Sequence, residues 1–322
     1  MKPRIDVHLS REDLEAALRA DVAAGLTAVP KEIPPKWFYD ERGSQLFEEI
    51  TRLPEYYLTR AERAILEERA DYVAGFTRAD TLVELGAGTS AKTRLLLKAL
   101  QAVGCLRRFV PFDVSEPTLR RAAADISEEY PNVEVHAVVG DFEHHLHTIP
   151  GAGTRLFAFL GGTIGNLVPE ARAGFLAALS AAMEPGDSLL LGTDLLKSVP
   201  RMVAAYDDSA GVTAEFNRNL LVVLDRELHA DFEPEAFGHV ARFEPQGEWI
   251  EMWLRADEAQ VVVVDDLGLT VRFETAEAMR TEISAKFRRS GIEEELANAE
   301  LALGRWWTDP GGDFGLSLSF RE

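Results

Sequence analysis

TLVELGAGTSAKT, residues 81–93, reads as a short buried strand (Leu82, Val83, Leu85), a glycine turn (Gly86, Gly88) and the start of a helix. Glycine at a turn lets backbone pass close to a ligand and reach dihedrals closed to other residues. The helix N-terminus behind it offers N–H groups to an anionic or polar partner. A strand–turn–helix of this kind is the nucleotide-handling end of an open α/β sheet.

Outward from this turn the chain alternates. Residues 61–73 have a helical pattern, and Leu96, Leu100 and Val103 mark the next helix. Residues 108–114, 133–139, 155–160 and 188–192 read as further strands, with helices over 118–130 and 170–183. That rhythm predicts a parallel, doubly wound sheet. From Lys197 the pattern changes. A helical stretch carries Met202, Val203 and Tyr206, and residues 240–243, 249–254, 261–264 and 269–273 read as an antiparallel meander. A helix over 286–301 restores the rhythm, and a hairpin closes the chain around Asp309-Pro310-Gly311-Gly312. Two domains are expected: a sheet domain from residues 61–196 and 285–322, and a second from 1–60 and 197–284. Their ligand cleft is expected between them, at the carboxyl ends of the strands.

Composition narrows the classes. A chain of 322 residues with 46% hydrophobic residues has an ample core. The formal net charge of −20 repels nucleic-acid phosphates and anionic lipid, so neither is an expected partner. Cys105 is the only cysteine, which excludes an intramolecular disulfide and a Cys-based metal site. The opening MKPRIDVHLSRED lacks the apolar run of a signal peptide. No apolar stretch approaches the ~20 residues of a membrane span, so a cytoplasmic protein is expected.

The glycine turn fits two patterns. Gly86-Ala-Gly88-Thr-Ser-Ala91 matches the dinucleotide pattern G-x-G-x-x-G/A. With Glu84 it also matches the E-x-G-x-G pattern of S-adenosylmethionine (SAM) methyltransferases. Positions further along discriminate. Asp113 ends the second strand, where a carboxylate accepts hydrogen bonds from ribose hydroxyls, although it could also cap a helix. Gly140-Asp141-Phe142 follows the third strand; Asp141 can accept from an adenine amino group and Phe142 can cover the ring, against the plainer reading of a polar turn. Gly161-Gly162-Thr163-Ile164-Gly165-Asn166 follows the fourth strand, where a methyltransferase brings the acceptor to the sulfonium. Asn166 can accept from an amine and donate to a carboxylate, or simply end a turn. His144, His145 and His147 cluster, but no carboxylate is spaced to complete a metal site, and a solvated loop face accounts for them.

Together these residues resemble the L-histidine Nα-methyltransferases of ergothioneine biosynthesis. The resemblance runs nearly end to end, through PPKWFYDERGSQLF (34–47), ITRLPEYYLTRAE (50–62), the glycine turn, PFDVS (111–115), GDFEHHL (140–146), FLGGTIGNL (159–167), LLLGTDLLK (189–197), AYDDSAGVTAEFNRN (205–219), IEMWLRA (250–256) and RWWTDPGGDFGLSL (305–318). Ala87 and Gly162, where relatives carry serine, are small departures that preserve size. The resemblance implies a Rossmann-like SAM methyltransferase sheet, mostly parallel with a C-terminal antiparallel hairpin, plus an α+β substrate-binding domain. It places cofactor contacts at Gly86, Lys92, Asp113, Asp141 and Phe142. It places substrate contacts at Tyr56, Asn166, Tyr206, Glu282 and Ser284, with Met252 and Phe47 lining the pocket and Tyr39 and Thr163 nearby. Packing explains several of these equally well. Tyr56 and Tyr206 could be core aromatics, and Met252 shares a strand face with Ile250 and Leu254. Glu282 and Ser284 share a face only if their segment is extended, whereas AEAMRTEIS also reads as helix.

The implied reaction moves three methyl groups in turn from SAM to the α-amino nitrogen of free L-histidine, giving hercynine. SAM supplies the electrophile, so neither a covalent enzyme nucleophile nor a metal is needed. Tyr56 and Asn166 are the candidates for holding the amine, and Tyr39, Phe47 and Tyr56 for an aromatic wall around the growing cation. Glu282 and Ser284 would grip the imidazole and Tyr206 the carboxylate. The partner is a small molecule, and a monomer is expected. Three other readings compete: a SAM methyltransferase acting on another amino acid or on a protein side chain, an NAD(P)-dependent oxidoreductase on the same turn, and a SAM-sensing module with no reaction. The second would need a hydride-accepting constellation that the chain does not display. The third would leave Tyr56, Asn166 and Glu282 idle.

Overall fold

The structure, a computed structural model, describes residues 2–88, 90, 92–142, 144–151 and 153–321; Thr89 and Ala91 of the glycine-turn pattern lie outside the described residues. The chain begins with β1 (Arg4–Val7), α1 (Arg11–Thr27), β2 (Lys31–Glu32), α2 (Glu41–Ile50) and α3 (Leu58–Thr77). The alternating part is β3 (Thr81–Leu85), α4 (Thr93–Ala102), β4 (Arg108–Asp113), α5 (Glu116–Glu129), β5 (Glu134–Val139), β6 (Arg155–Phe159), α6 (Pro169–Ala182) and β7 (Ser188–Asp194). Then come α7 (Val199–Ala204), α8 (Val212–Leu228), β8 (Phe237–Glu244), β9 (Trp249–Ala256), β10 (Gln260–Val264), β11 (Leu269–Phe273) and β12 (Ala278–Ala285). The last elements are α9 (Arg289–Asn298), β13 (Leu301–Thr308) and β14 (Phe314–Arg321). Contacts divide the chain into a first unit, Met1–Ser10, Leu58–Leu196 and Phe287–Glu322, and a second, Arg11–Tyr57 and Lys197–Lys286.

The first unit is an eight-stranded sheet in the order β1-β5-β4-β3-β6-β7-β14-β13. It is parallel from β1 to β7, and β14 runs antiparallel to both β7 and β13. Every residue of β3 is buried. That fits a central strand covered on both faces, which needs a continuous apolar run rather than alternation. Pro111 sits within β4, and the pairing with β5 skips from Phe109–Val135 to Phe112–Val138, the gap expected of a residue with no N–H to donate. From β3 the chain steps one way to β4 and β5, then returns to the other side for β6 and β7. The switch point therefore lies between β3 and β6, where α/β sheets bind ligands, beside the Gly86 turn and the Gly161-Gly162 turn. A buried ion pair stabilises this side: the Arg155 guanidinium at the start of β6 donates from Nε to Asp187 at 2.8 Å, just before β7.

Residues 4–7 depart from expectation. They form β1 and pair in parallel with β5, Arg4 opposite His136, so they join the large sheet instead of the rest of the N-terminal segment. Four residues are too short a run to announce a strand by alternation.

The second unit holds a four-stranded sheet, β2-β12-β9-β8, and a separate β10-β11 pair. The expected single meander splits because β12 takes the free edge of β9, pairing Met279 with Leu254 and Glu282 with Met252. The hairpin β10-β11 is left to pair with itself. Helix α8 packs on α2 and lies against β8 and β9.

Candidate active site

In the first unit, the Gly86 turn follows β3 with Gly86 at φ 68° and Gly88 at φ 47°, left-handed values that favour glycine. Among the described residues, a Cβ at either position would meet no atom within 4 Å beyond its chain neighbours, so it is the backbone dihedral rather than crowding that asks for glycine. Glu84 does not point to a ligand. Its buried carboxyl accepts from Ser90 Oγ at 2.6 Å and from the Thr93 hydroxyl at the start of α4, tying strand to helix. Burial pushes it up to about 7, against those two hydroxyl donors. Asp113, at the end of β4, accepts from Gly88 N at 3.0 Å and from Ser115 N at 2.9 Å. Burial raises its pKa and the backbone donors oppose the rise. One carboxylate thus joins two of the predicted cofactor positions, the turn and the β4 end.

Lys92 is ion-paired with Glu62, a helix α3 side chain that sequence reading passed over. Glu62 is fully buried, and its Oε1 accepts from Gly161 N at 2.8 Å. A Cβ at Gly192 would lie 2.1 Å from the same oxygen, so β7 keeps a glycine to make room for it. Glu62 therefore links Lys92 to the Gly161-Gly162 turn, whose φ values of 84° and 73° again favour glycine. Its signal was a lone carboxylate in the buried stripe Leu58, Ala61, Ile65, Leu66. Thr163 opens the short helical turn ending at Asn166, with its hydroxyl donating to Leu160 O at 3.2 Å. Asn166 is half-buried. Phe142 packs edge-on to Phe159 and Phe175, with centroids at 5.7 Å and 5.4 Å. Asp141 N donates to His145 Nδ1 at 3.1 Å, so His145 organises this turn. Among the described residues no group of His, Cys, Asp and Glu side chains is arranged to hold a metal ion.

This donor set fits SAM. It offers an ammonium at Lys92 for a carboxylate, an acid at Asp113 for a ribose, an aromatic at Phe142 for an adenine, and a glycine turn.

In the second unit, five of the predicted substrate residues, Tyr39, Phe47, Tyr56, Tyr206 and Ser284, form a connected chain. Tyr39 meets Phe47 edge-on at 5.6 Å, Phe47 meets Tyr56 at 6.1 Å, and Tyr56 meets Tyr206 at 6.3 Å. Tyr56 and Tyr206 are buried, whereas Tyr39 is 40% exposed. Phe216 on α8, absent from the sequence reading, backs this row and lies 5.7 Å from Tyr39 and 6.1 Å from Phe47. The Tyr206 hydroxyl and Ser284 Oγ share a hydrogen bond of 2.6 Å. Lys286, also unforeseen, is buried and donates to both, at 3.1 Å to Tyr206 and 2.9 Å to Ser284. Its place two residues beyond Ser284 in an extended run was the available signal. The segment read ambiguously as strand or helix is β12, so Glu282 and Ser284 lie on one face, with Glu282 opposite Met252 across the β9 pairing. The arrangement combines an aromatic row with a hydroxyl pair that accepts from Lys286, and Glu282 lies on the same strand face as Ser284.

A family described as "Histidine-specific methyltransferase, SAM-dependent" matches residues 18–321 of the chain. A histidine N-alpha-methyltransferase of Mycobacterium tuberculosis is 59% identical over 319 residues, 99% of each chain. That of Mycolicibacterium smegmatis is 58% identical over 314 residues, 98% of each. The ergothioneine biosynthesis protein 1 of Neurospora crassa is 28% identical over 298 residues, 90% of this chain and 33% of that protein.

Proposed function

The chain belongs to the family of SAM-dependent, histidine-specific methyltransferases, and from that membership we infer that it methylates the α-amino nitrogen of L-histidine, three times in succession, to form the betaine hercynine. The observation that carries this is 59% identity over 319 residues to a histidine N-alpha-methyltransferase. A hydride-transfer reading of the glycine turn has no comparable support. The pathway is ergothioneine biosynthesis, to which a fungal relative is assigned by name.

We assign the residues as follows. Gly86, Lys92, Asp113, Asp141 and Phe142 hold SAM. When bound, SAM supplies a methyl carbon activated by a positively charged sulfur. Tyr206 takes the substrate carboxylate, with Lys286 behind it donating to the same hydroxyl. Glu282 and Ser284 take the imidazole, and Met252, opposite Glu282 in the β9–β12 pairing, packs beside it. Tyr56 and Asn166 hold the amine, and Thr163 supports the turn that carries Asn166. Tyr39, Phe47 and Tyr56 supply the aromatic row.

The protein's work is positional. An amino acid's α-amine is largely protonated at neutral pH, so the site must favour the neutral form before each transfer. Holding its lone pair in line with the methyl carbon is the largest lever available to a displacement of this kind. Selectivity comes from Glu282: a carboxylate left without the ring N–H disfavours amino acids that lack it. Incubating the protein with SAM and histidine, followed by mass spectrometry, tests the reading. Products carrying one, two and three added methyls are expected. Unmodified histidine after exhaustive incubation overturns it.

A further inference from the structure

Tyr206 is fixed at its backbone as well as its hydroxyl. His239 Nε2 lies 2.8 Å from the Tyr206 carbonyl oxygen, and His239 Nδ1 lies 2.9 Å from Asn217 Nδ2. Asn217 is fully buried on α8, and its Nδ2 also donates to the Trp253 carbonyl oxygen at 3.1 Å. A carbonyl oxygen can only accept, so the amide must turn its NH2 toward Trp253 and His239. The opposite orientation sets oxygen against oxygen. His239 Nδ1 therefore faces an N–H and is the bare ring nitrogen. Nε2 carries the ring hydrogen, which the Tyr206 carbonyl accepts. One buried backbone carbonyl on β9 thus selects the tautomer of a histidine on β8.

We propose that His239, held neutral in its Nε2–H tautomer by Asn217, is a positioning residue for Tyr206, and that protonation of its ring weakens histidine binding on the acid side. The proposal rests on Tyr206 being a substrate residue. A proton on Nδ1 would set N–H against N–H at a 2.9 Å contact. Asn217 cannot rotate to accept it without abandoning Trp253. Asn217 Oδ1 has no hydrogen-bond partner among the described residues, so both printed bonds of the amide run through Nδ2, and turning the amide would give them up together. Burial holds His239 below the ordinary imidazole range, helped by Arg218 and opposed by the Tyr206 carbonyl, Asp207 and Asp208. Across the β8–β9 pairing it faces Leu254, which carries no charge. The neutral ring is favoured in the fold. The anchor is therefore complete above the ordinary imidazole pKa and is lost as pH falls through the lower folded value.

Substrate histidine titrates identically with every variant, so ratios of KM between enzymes isolate residue 239. Glutamine places an amide nitrogen near the Nε2 position and does not titrate, whereas asparagine places its amide near Nδ1 and cannot reach Tyr206. At about pH 8, His239→Asn is expected to raise histidine KM about tenfold with kcat within about threefold, and His239→Gln to stay within about threefold in both, the scale of one hydrogen bond. As pH falls below the ordinary imidazole range and through the ring protonation of His239 followed by NMR, wild-type KM should climb relative to that of His239→Gln. A flat ratio, or equal effects from the two substitutions, overturns the proposal. Tyr206→Phe run alongside separates the two failures. If it leaves KM unchanged, the substrate assignment is wrong; if it raises KM while His239→Asn does not, the positioning role is wrong. Long-range 1H–15N NMR of the wild-type protein is independent of any variant's folding, and an Nδ1–H tautomer at neutral pH also overturns the proposal.

Discussion

Tyr206→Phe removes a single oxygen and keeps the ring. The ring keeps its edge contact with Tyr56 at 6.3 Å and the Lys286 ammonium 4.5 Å above its face. The hydroxyl that bonds Ser284 at 2.6 Å and accepts from Lys286 at 3.1 Å is lost. Lys286 keeps Ser284 at 2.9 Å, so its buried charge retains a partner and the fold bears little of the cost. On the proposed assignment the substrate carboxylate loses one charge-assisted bond, about 2 kcal/mol, or roughly 30-fold in KM. The carboxylate neither gains nor loses charge during methyl transfer, so it is bound alike in ground and transition states, and kcat should fall less than KM rises. Initial rates of S-adenosylhomocysteine formation at saturating SAM, across a histidine series, measure both. Thermal melting of the variant checks the fold. A variant with unchanged KM, or one whose kcat drops more than its KM climbs, refutes the reasoning.

Glu282→Ala should lower kcat/KM for histidine by roughly 2–4 kcal/mol, the scale of a lost bond to a charged group, and unchanged histidine kinetics would remove Glu282 from the site. Glu62→Ala deprives both Lys92 and the Gly161 N–H of their acceptor. Its unfolding free energy should drop by about 3 kcal/mol in denaturant titration, and Glu62→Gln, whose amide oxygen can keep the Gly161 bond, should lose less; a loss under ~1 kcal/mol for the alanine variant contradicts the bridging role. Glu84 titrates near 7 in the fold instead of 4.5, so the folded state binds a proton that the unfolded chain has released. Its contribution, on the order of 3 kcal/mol, is full below 4.5 and lost as pH rises through about 7. Replacing Glu84 with Gln should flatten the melting temperature between about pH 5 and pH 8, and an unaltered pH profile would show that the carboxyl is ionised throughout.

What sequence shows is mostly what repeats or carries unusual residue types. The five buried positions of β3 and the glycines after it are legible because a central parallel strand must be apolar on both faces and the turn needs left-handed dihedrals. The alternation from β3 to β7 follows in the same way. The second unit is less legible, since its pairings are set by distant contacts. Nothing local says that β12 will take the edge of β9 and exclude β10 and β11. Glu282 and Ser284 depended on that pairing, because a helix would have separated them. The residues missed have ordinary local contexts. Glu62 sits in a helix and Asn217 in another, Lys286 follows the end of a strand, and His239 lies within one. Each gains its role from a partner far along the chain: Gly161, Trp253, Tyr206.

On the proposed assignment the amine is surrounded by rings of the second unit, and the chemistry of three transfers gives a reason for that choice. Successive methylations remove N–H donors one at a time, so acceptors matched to three hydrogens would end with none to accept. The aromatic row Tyr39–Phe47–Tyr56 has no such dependence. A ring face attracts a cation through its quadrupole whether the cation carries hydrogens or methyls, and the attraction is largest where water is excluded. Phe216 behind the row limits how far the rings can recede. On the proposed assignment Tyr206 and Ser284, both bonded to Lys286, hold the carboxylate and the imidazole, which are unchanged from the first transfer to the third. On that assignment, an invariant polar grip combined with a tolerant aromatic one would let a single site accept a primary, a secondary and a tertiary amine in turn.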